Sequence, residues 1–166
     1  MDTVYIETSI VSHATAWPSE NPMTAVLQQQ ARQGWDQERG NYRLVTSQFV
    51  IDEAADGDPD AARRRLEMLD GIPLLLPSER VEEIAEELIR RSLMPEKAKL
   101  AALHVASAAV GGVHYLPTQN CKHIADAHVL PQVYDLLEEL GLPRLLICTP
   151  AEFLGGANDD VESNSR

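Results

Sequence analysis

Only two cysteines, Cys121 and Cys148, occur in the 166 residues, which excludes a disulfide-built scaffold and suits a reducing compartment. No uninterrupted run of about 18 apolar residues is present, so no membrane-spanning helix is expected. The first residues lack the charged-then-apolar layout of an export signal, and the expectation is a cytoplasmic protein. Basic charge is also scarce. Lys and Arg number 14 against 26 Asp and Glu, a net charge of −12, which argues against broad, non-specific binding of RNA or DNA along a basic stripe. That balance leaves room for a small site where divalent cations neutralise carboxylate and phosphate together. A basic partner, or plain surface solubility, would account for the acidity as well. No glycine-rich phosphate loop and no internal repeat is found. Cys121, His123, Asp126 and His128 match no compact zinc spacing.

What is present is an alternation of short apolar runs and amphipathic segments. Strands are expected over 3–7, 42–46, 73–76, 114–116 and 145–148. A helix is expected over 23–37, and Ser47 is placed to cap a second one that carries Phe49, Val50, Ile51 and Glu53. Gly57, Asp58, Pro59 and Asp60 break that helix and start another, with Asp60 suited to the positive end of the helix dipole. Pro77 and Ser78 open a strongly amphipathic helix with Val81, Ile84, Ala85, Leu88 and Ile89 on one face. From Pro95 to Val110 the chain is apolar nearly all round after Lys99, which predicts a buried central helix. A last helix is expected over 130–140. Such alternation implies one α/β domain, a mostly parallel sheet with helices on both faces in three layers. Residues 1–154 are assigned to that domain and 155–166 to an acidic tail expected to lack order.

Two strand ends carry polar clusters, and in open α/β sheets such ends are where ligands and metals gather. The first is VYIETSI, residues 4–10, which delivers Glu7, Thr8 and Ser9; the second is HYLPTQNCKHIADA, residues 114–127, which delivers Asn120 and leads through residues 119–123 into a new helical segment. Glu7 is a metal ligand or catalytic acid, or else a helix cap or ion-pair partner. Glu53 faces either the interior or solvent, whereas Asp52 lies about 100° around the helix and reads as surface. Ser9 and Thr8 orient water or phosphate, or cap a helix. Asn120 is a ligand, a turn former or a cap, and Asp126 is a candidate substitute acid. His104, on the buried helix one turn after Ala101, reads as a hydrogen-bonded core histidine. Lys97 and Lys122 are either phosphate contacts or solvated surface charges.

Four stretches in this order, YIETSI, SQFVIDEA, AALHVASAA and HYLPTQNCKHIADA, with CTPAEFL near the end, resemble the PIN domain family of metal-dependent ribonucleases, which includes the VapC-type toxins of toxin–antitoxin pairs. The resemblance covers about residues 3–154. It implies a Mg²⁺- or Mn²⁺-dependent endoribonuclease in which Glu7, Glu53 and Asn120 hold the metal and Ser9 completes the catalytic shell. It also implies an RNA substrate, an antitoxin-like protein partner and a homodimer. The chain departs from the family pattern at three points. Glu7 stands where Asp is commoner, Ala101 replaces the acid of a DALHIA-like motif, and Asn120 is neutral. Two carboxylates suit one ion with several waters. The alternative implied by the lost acid is a catalytically inactive PIN-like binding or dimerisation module.

Overall fold

A computed structural model describes residues 1–155. Four parallel strands form the sheet: β1 (Thr3–Tyr5), β2 (Arg43–Val45), β3 (Tyr115–Pro117) and β4 (Leu146–Cys148), in the spatial order β2-β1-β3-β4. Seven α-helices connect or flank them: α1 (Thr8–Thr15), α2 (Pro22–Glu38), α3 (Gln48–Ala54), α4 (Pro59–Leu69), α5 (Glu79–Arg90), α6 (Lys99–Val110) and α7 (Leu130–Glu139). A further helical stretch begins at residue 150. Parallel neighbours require crossover connections, and the chain leaves β1 for β2 on one side, then passes back over β1 to β3 and β4. Right-handed crossovers in opposite directions put helices on opposite faces. The fold is therefore α/β, as the alternation of elements implied.

Strand periodicity shows which layer each helix occupies. Val4 and Ile6 line an apolar cavity with Ala31 and Trp35 of α2. Tyr5 points to the other face, where its hydroxyl lies 3.0 Å from Nδ1 of His104 on α6. All residues from Ala101 to Ala109 are buried, and the small side chains of this helix let α5 pack closely through Val81, Ile84, Ala85 and Leu88. Arg91 bridges Glu87 and Glu139, linking the end of α5 to α7.

Caps were legible. Asn21 accepts from the backbone N–H groups of Met23 and Thr24, and Pro22 occupies the first turn of α2, where its missing N–H costs no bond. Ser47 caps α3 by accepting from Val50 N, and Asp58 caps α4 through Ala61 N at 2.9 Å.

Four expectations on the elements shift. The first strand stops at Tyr5, and residues 8–15 form α1. No helix is expected after the first strand, and α1 buries the β-branched Thr8, Ile10 and Val11, which carry little helix propensity of their own. The expected strand over 73–76 is reduced to one parallel bridge, Thr46 to Leu74, because Pro73 and Pro77 bracket it and proline cannot donate to a ladder. The third strand lies one residue later than expected and includes Pro117; Thr118 N continues the pairing by donating to Cys148 O at 2.8 Å. Residues 119–123 begin no long helix. Asn120 O accepts from Ile124 N and Ala125 N in a single turn, and α7 starts only at Leu130. The acidic tail expected over 155–166 lies, apart from Gly155, outside the described residues.

Candidate metal centre

Glu7 occupies the N-cap position of α1, yet its side chain makes no capping bond. The carboxylate turns to the ends of the parallel strands instead. Its Oε2 accepts from Thr118 Oγ1 at 2.8 Å and from Ser9 Oγ. Ser9 Oγ in turn accepts from Gln119 N at 2.8 Å, and Asn120 N donates to Thr118 Oγ1 at 3.0 Å. Two hydroxyls, each fixed by a backbone amide of the β3 exit, thus hold one oxygen of Glu7. No hydrogen bond from the described residues reaches Oε1. Glu7 is only 3% exposed, and no Lys, Arg or His of the described residues forms an ion pair with it. A buried ionised carboxylate without a cation is costly, and hydroxyl donors offset that cost only in part.

Glu53 arrives from α3. Its Oε1 lies 3.2 Å from His104 Nε2, while Asp52 beside it is exposed and accepts from Gln48. Partial burial opposes ionisation of Glu53, but the hydrogen bond from His104, the nearby Thr8 hydroxyl and the charge of His104 outweigh it, so its pKa is lowered. Thr8 is 7% exposed. Its Oγ1 is near enough to favour the Glu53 carboxylate and completes no hydrogen bond of its own. Buried hydroxyls without partners are rare in folded proteins and call for a physical account.

Behind Glu53 runs a chain of hydrogen-bonded groups. His104 is 2% exposed; its Nδ1 meets Tyr5 Oη at 3.0 Å, and Tyr5 Oη meets Ser47 Oγ at 2.6 Å. Burial pushes the Tyr5 hydroxyl above its usual range; the Ser47 hydrogen bond opposes the rise, and the charges of Glu7 and Glu53 add to it. Tyr5 therefore keeps its proton and serves as a donor at any working pH. Ser47 is also the cap of α3, so the same residue fixes the helix that carries Glu53 and the ring that supports it. Replacing Tyr5 by Phe is expected to lower stability by about 1–3 kcal/mol, since His104 Nδ1 and Ser47 Oγ lose a buried partner while ring volume is kept. Urea unfolding of the variant measures this; no loss would mean that the chain behind Glu53 has no structural weight.

Compared with family models, curated proteins and solved structures, the chain matches none. The assignment of the site therefore rests on its own geometry.

One carboxylate oxygen from each of Glu7 and Glu53 and one ring nitrogen of His104 all lie within 4.8 Å of one another. Among the described residues this is the one cluster of three His, Cys, Asp or Glu side chains with metal-ligand spacing. Cys121, His123, Asp126 and His128 form no such group. Of the residues singled out in the sequence, Glu7, Glu53 and Ser9 come together here. Asn120 reaches the cluster through its backbone, while its side-chain Oδ1 accepts from His123 N at 3.1 Å, the turn-forming use of an Asn. Asp126 does the same for His128 N at 3.0 Å. Lys97 and Lys122 are exposed.

Thr118 and Tyr5 were not singled out for the site. Thr118 had no sequence signal beyond its place at a strand end. His104 was read as a hydrogen-bonded core residue, and it is one, but its neighbour is a candidate ligand rather than apolar core. The signal that pointed there was its spacing from Ala101, three residues along the same face of α6.

Proposed function

We propose that this chain is a PIN-like, divalent-cation-dependent endoribonuclease of VapC type, with Glu7 and Glu53 as the carboxylates that hold Mg²⁺ or Mn²⁺. The observation that carries this reading is Glu7, a buried carboxylate with no ion-pair partner, within ligand spacing of Glu53 at the ends of parallel strands. The donor set fits such an ion. Two carboxylates supply hard oxygens, Thr8 offers a hydroxyl with no partner, and Glu7 keeps Oε1 clear of the bonds that hold Oε2. A cation bound there would orient and activate water for in-line attack on a phosphodiester and stabilise the leaving oxygen.

The protein's own residues supply the rest. Ser9 and Thr118 fix the Glu7 carboxylate, and His104 fixes that of Glu53, so both are preorganised before substrate arrives. The side chain of Asn120, at the same strand end, is held by His123 N and would offer a further polar contact only where that turn opens. With a net charge of −12 and exposed lysines only at scattered positions, affinity for RNA would come from the cation and a short local groove rather than from a basic surface.

The test is Mn²⁺-dependent cleavage of single-stranded RNA by the purified protein, with Glu53→Ala as control. Losing an outer-shell partner of a metal ligand typically costs about 10–100-fold, so removing Glu53 itself should cost at least about 100-fold. Cleavage that survives Glu53→Ala, or that needs no metal, sinks the proposal.

A second reading, a non-catalytic binding or dimerisation module, is favoured by a different observation. Met23, Val26 and Leu27 on α2 are exposed, as is Trp17 before it. An antitoxin-like protein segment or a second copy of the chain would cover such a face. No cleavage by the native protein, together with a stable dimer in sedimentation, would favour this reading.

A further inference from the structure

We propose that His104 is the third ligand of the ion, so that this site selects a first-row transition ion such as Mn²⁺ over Mg²⁺. The inference rests on the metal reading above and adds the ligand and the class of cation.

Geometry supports it first. Around one ion with bonds of about 2.1 Å, ligand atoms lie about 3 to 4 Å apart. Here the three donor atoms are all within 4.8 Å of one another, and His104 Nε2 is already 3.2 Å from Glu53 Oε1. Side-chain adjustments of about an ångström or less would bring them onto one ion. A second observation lies beside the donors: Thr8 Oγ1, on the residue after Glu7, is buried and has no hydrogen-bond partner within normal reach.

The ring is supported in the way a ligating imidazole needs. Metal-bound histidines donate their other ring N–H to a fixed acceptor, which sets tautomer and orientation. Without an ion, Nδ1 lies 3.0 Å from Tyr5 Oη and Nε2 lies 3.2 Å from Glu53 Oε1. With Nε2 given to a cation, the ring proton resides on Nδ1 and is donated to Tyr5 Oη, while the Tyr5 proton turns to Ser47 Oγ at 2.6 Å. Tyr5 keeps its proton in both arrangements.

His104 lies one turn after Ala101 on the same face of α6. His104 brings a neutral-capable nitrogen donor to the two carboxylates Glu7 and Glu53. Mg²⁺ prefers oxygen ligands and a largely aqueous shell, whereas imidazole suits the transition ions and affinity for mixed N/O sites rises along the first row.

The experiment is pulsed EPR of the purified protein loaded with MnCl₂, with binding isotherms for Mn²⁺ and Mg²⁺ run alongside. The expected result is an electron spin-echo modulation from a directly bound ¹⁴N, altered by ¹⁵N-histidine labelling and absent in His104→Gln. Mn²⁺ should bind at least about tenfold more tightly than Mg²⁺, and that ratio should collapse in His104→Gln. Mn²⁺ bound without nitrogen modulation overturns the assignment of His104 while leaving the carboxylate site standing. No Mn²⁺ binding at all overturns the metal site itself. The native-protein spectrum decides the ligand even where His104→Gln fails to fold.

Discussion

Ala101→Asp is expected to lower the stability of the metal-free protein by about 2–4 kcal/mol and to regain most of it when Mn²⁺ is added. Ala101 is 6% exposed and lies three residues before His104, so an Asp side chain there projects along the same face of α6, toward the end that meets Glu53. Without a cation, a third carboxylate on this face is added to the charges of Glu7 and Glu53. Repulsion and desolvation act in the same direction, and the only cationic relief is protonation of His104. A bound divalent ion reverses the sign of both terms. At a free concentration about 100 times its dissociation constant, linkage alone returns about 2.7 kcal/mol. Thermal or urea unfolding in chelator and in Mn²⁺ reads the difference, which should be larger in the variant than in the native protein. RNA cleavage should rise in parallel, because a third acid restores the charge that the resemblance implies. If Mn²⁺ affects both proteins equally, position 101 does not face the site. If the variant gains cleavage where the native protein shows none, the scaffold is intact and Ala101 is what disables it.

How much of this could be read from the chain depended on whether the determining contacts were local. The α/β class was legible because hydrophobic alternation and turn residues are local signals, and α6 was legible because apolar residues surround it. Ser47 and Asp58 were legible as caps or breakers for the same reason. The helix Thr8–Thr15 was not legible. Its β-branched residues favour a strand, and only burial against neighbouring helices, which no short window contains, makes it helical. The strand expected at 73–76 failed on a rule that was available, since prolines stand at both of its borders. For the site, Glu7 and Glu53 were placed together from the pattern of motifs, and their carboxylates do lie within ligand spacing. Thr118 contacts Glu7 across 111 positions, and His104 contacts Glu53 across 51. Those pairings are products of crossover topology, so neither residue advertised its partner in its own segment. Asn120 shows the converse: its segment signalled a polar role, and its side chain is engaged in a local turn.

Glu7→Gln separates the two uses that a buried carboxylate can have. Gln is nearly isosteric, and its amide oxygen can accept from both Ser9 and Thr118 as Glu7 Oε2 does. What disappears is a negative charge that no basic side chain of the described residues balances. If the charge exists for the fold, its removal should destabilise by about 1–3 kcal/mol, as when a charge-assisted hydrogen bond is lost. If it exists for a cation, the metal-free variant should be as stable as the native protein or more so, by up to about 2 kcal/mol, because a desolvated charge has been removed with its hydrogen bonds kept. Mn²⁺ affinity should then fall by about 100-fold or more, exceeding the loss typical of an outer-shell change. The expected result is this second pattern, with equal or higher stability in chelator, little stabilisation by Mn²⁺, and no RNA cleavage. Unfolding curves in chelator and in Mn²⁺, with a binding isotherm on the same preparation, measure all of it. A variant that is clearly less stable in chelator yet binds Mn²⁺ normally would make Glu7 a structural acid tying α1 to the end of β3. A stable variant with lost affinity would instead mark residue 7 as a place where stability has been given up to keep a negative charge waiting for its ion.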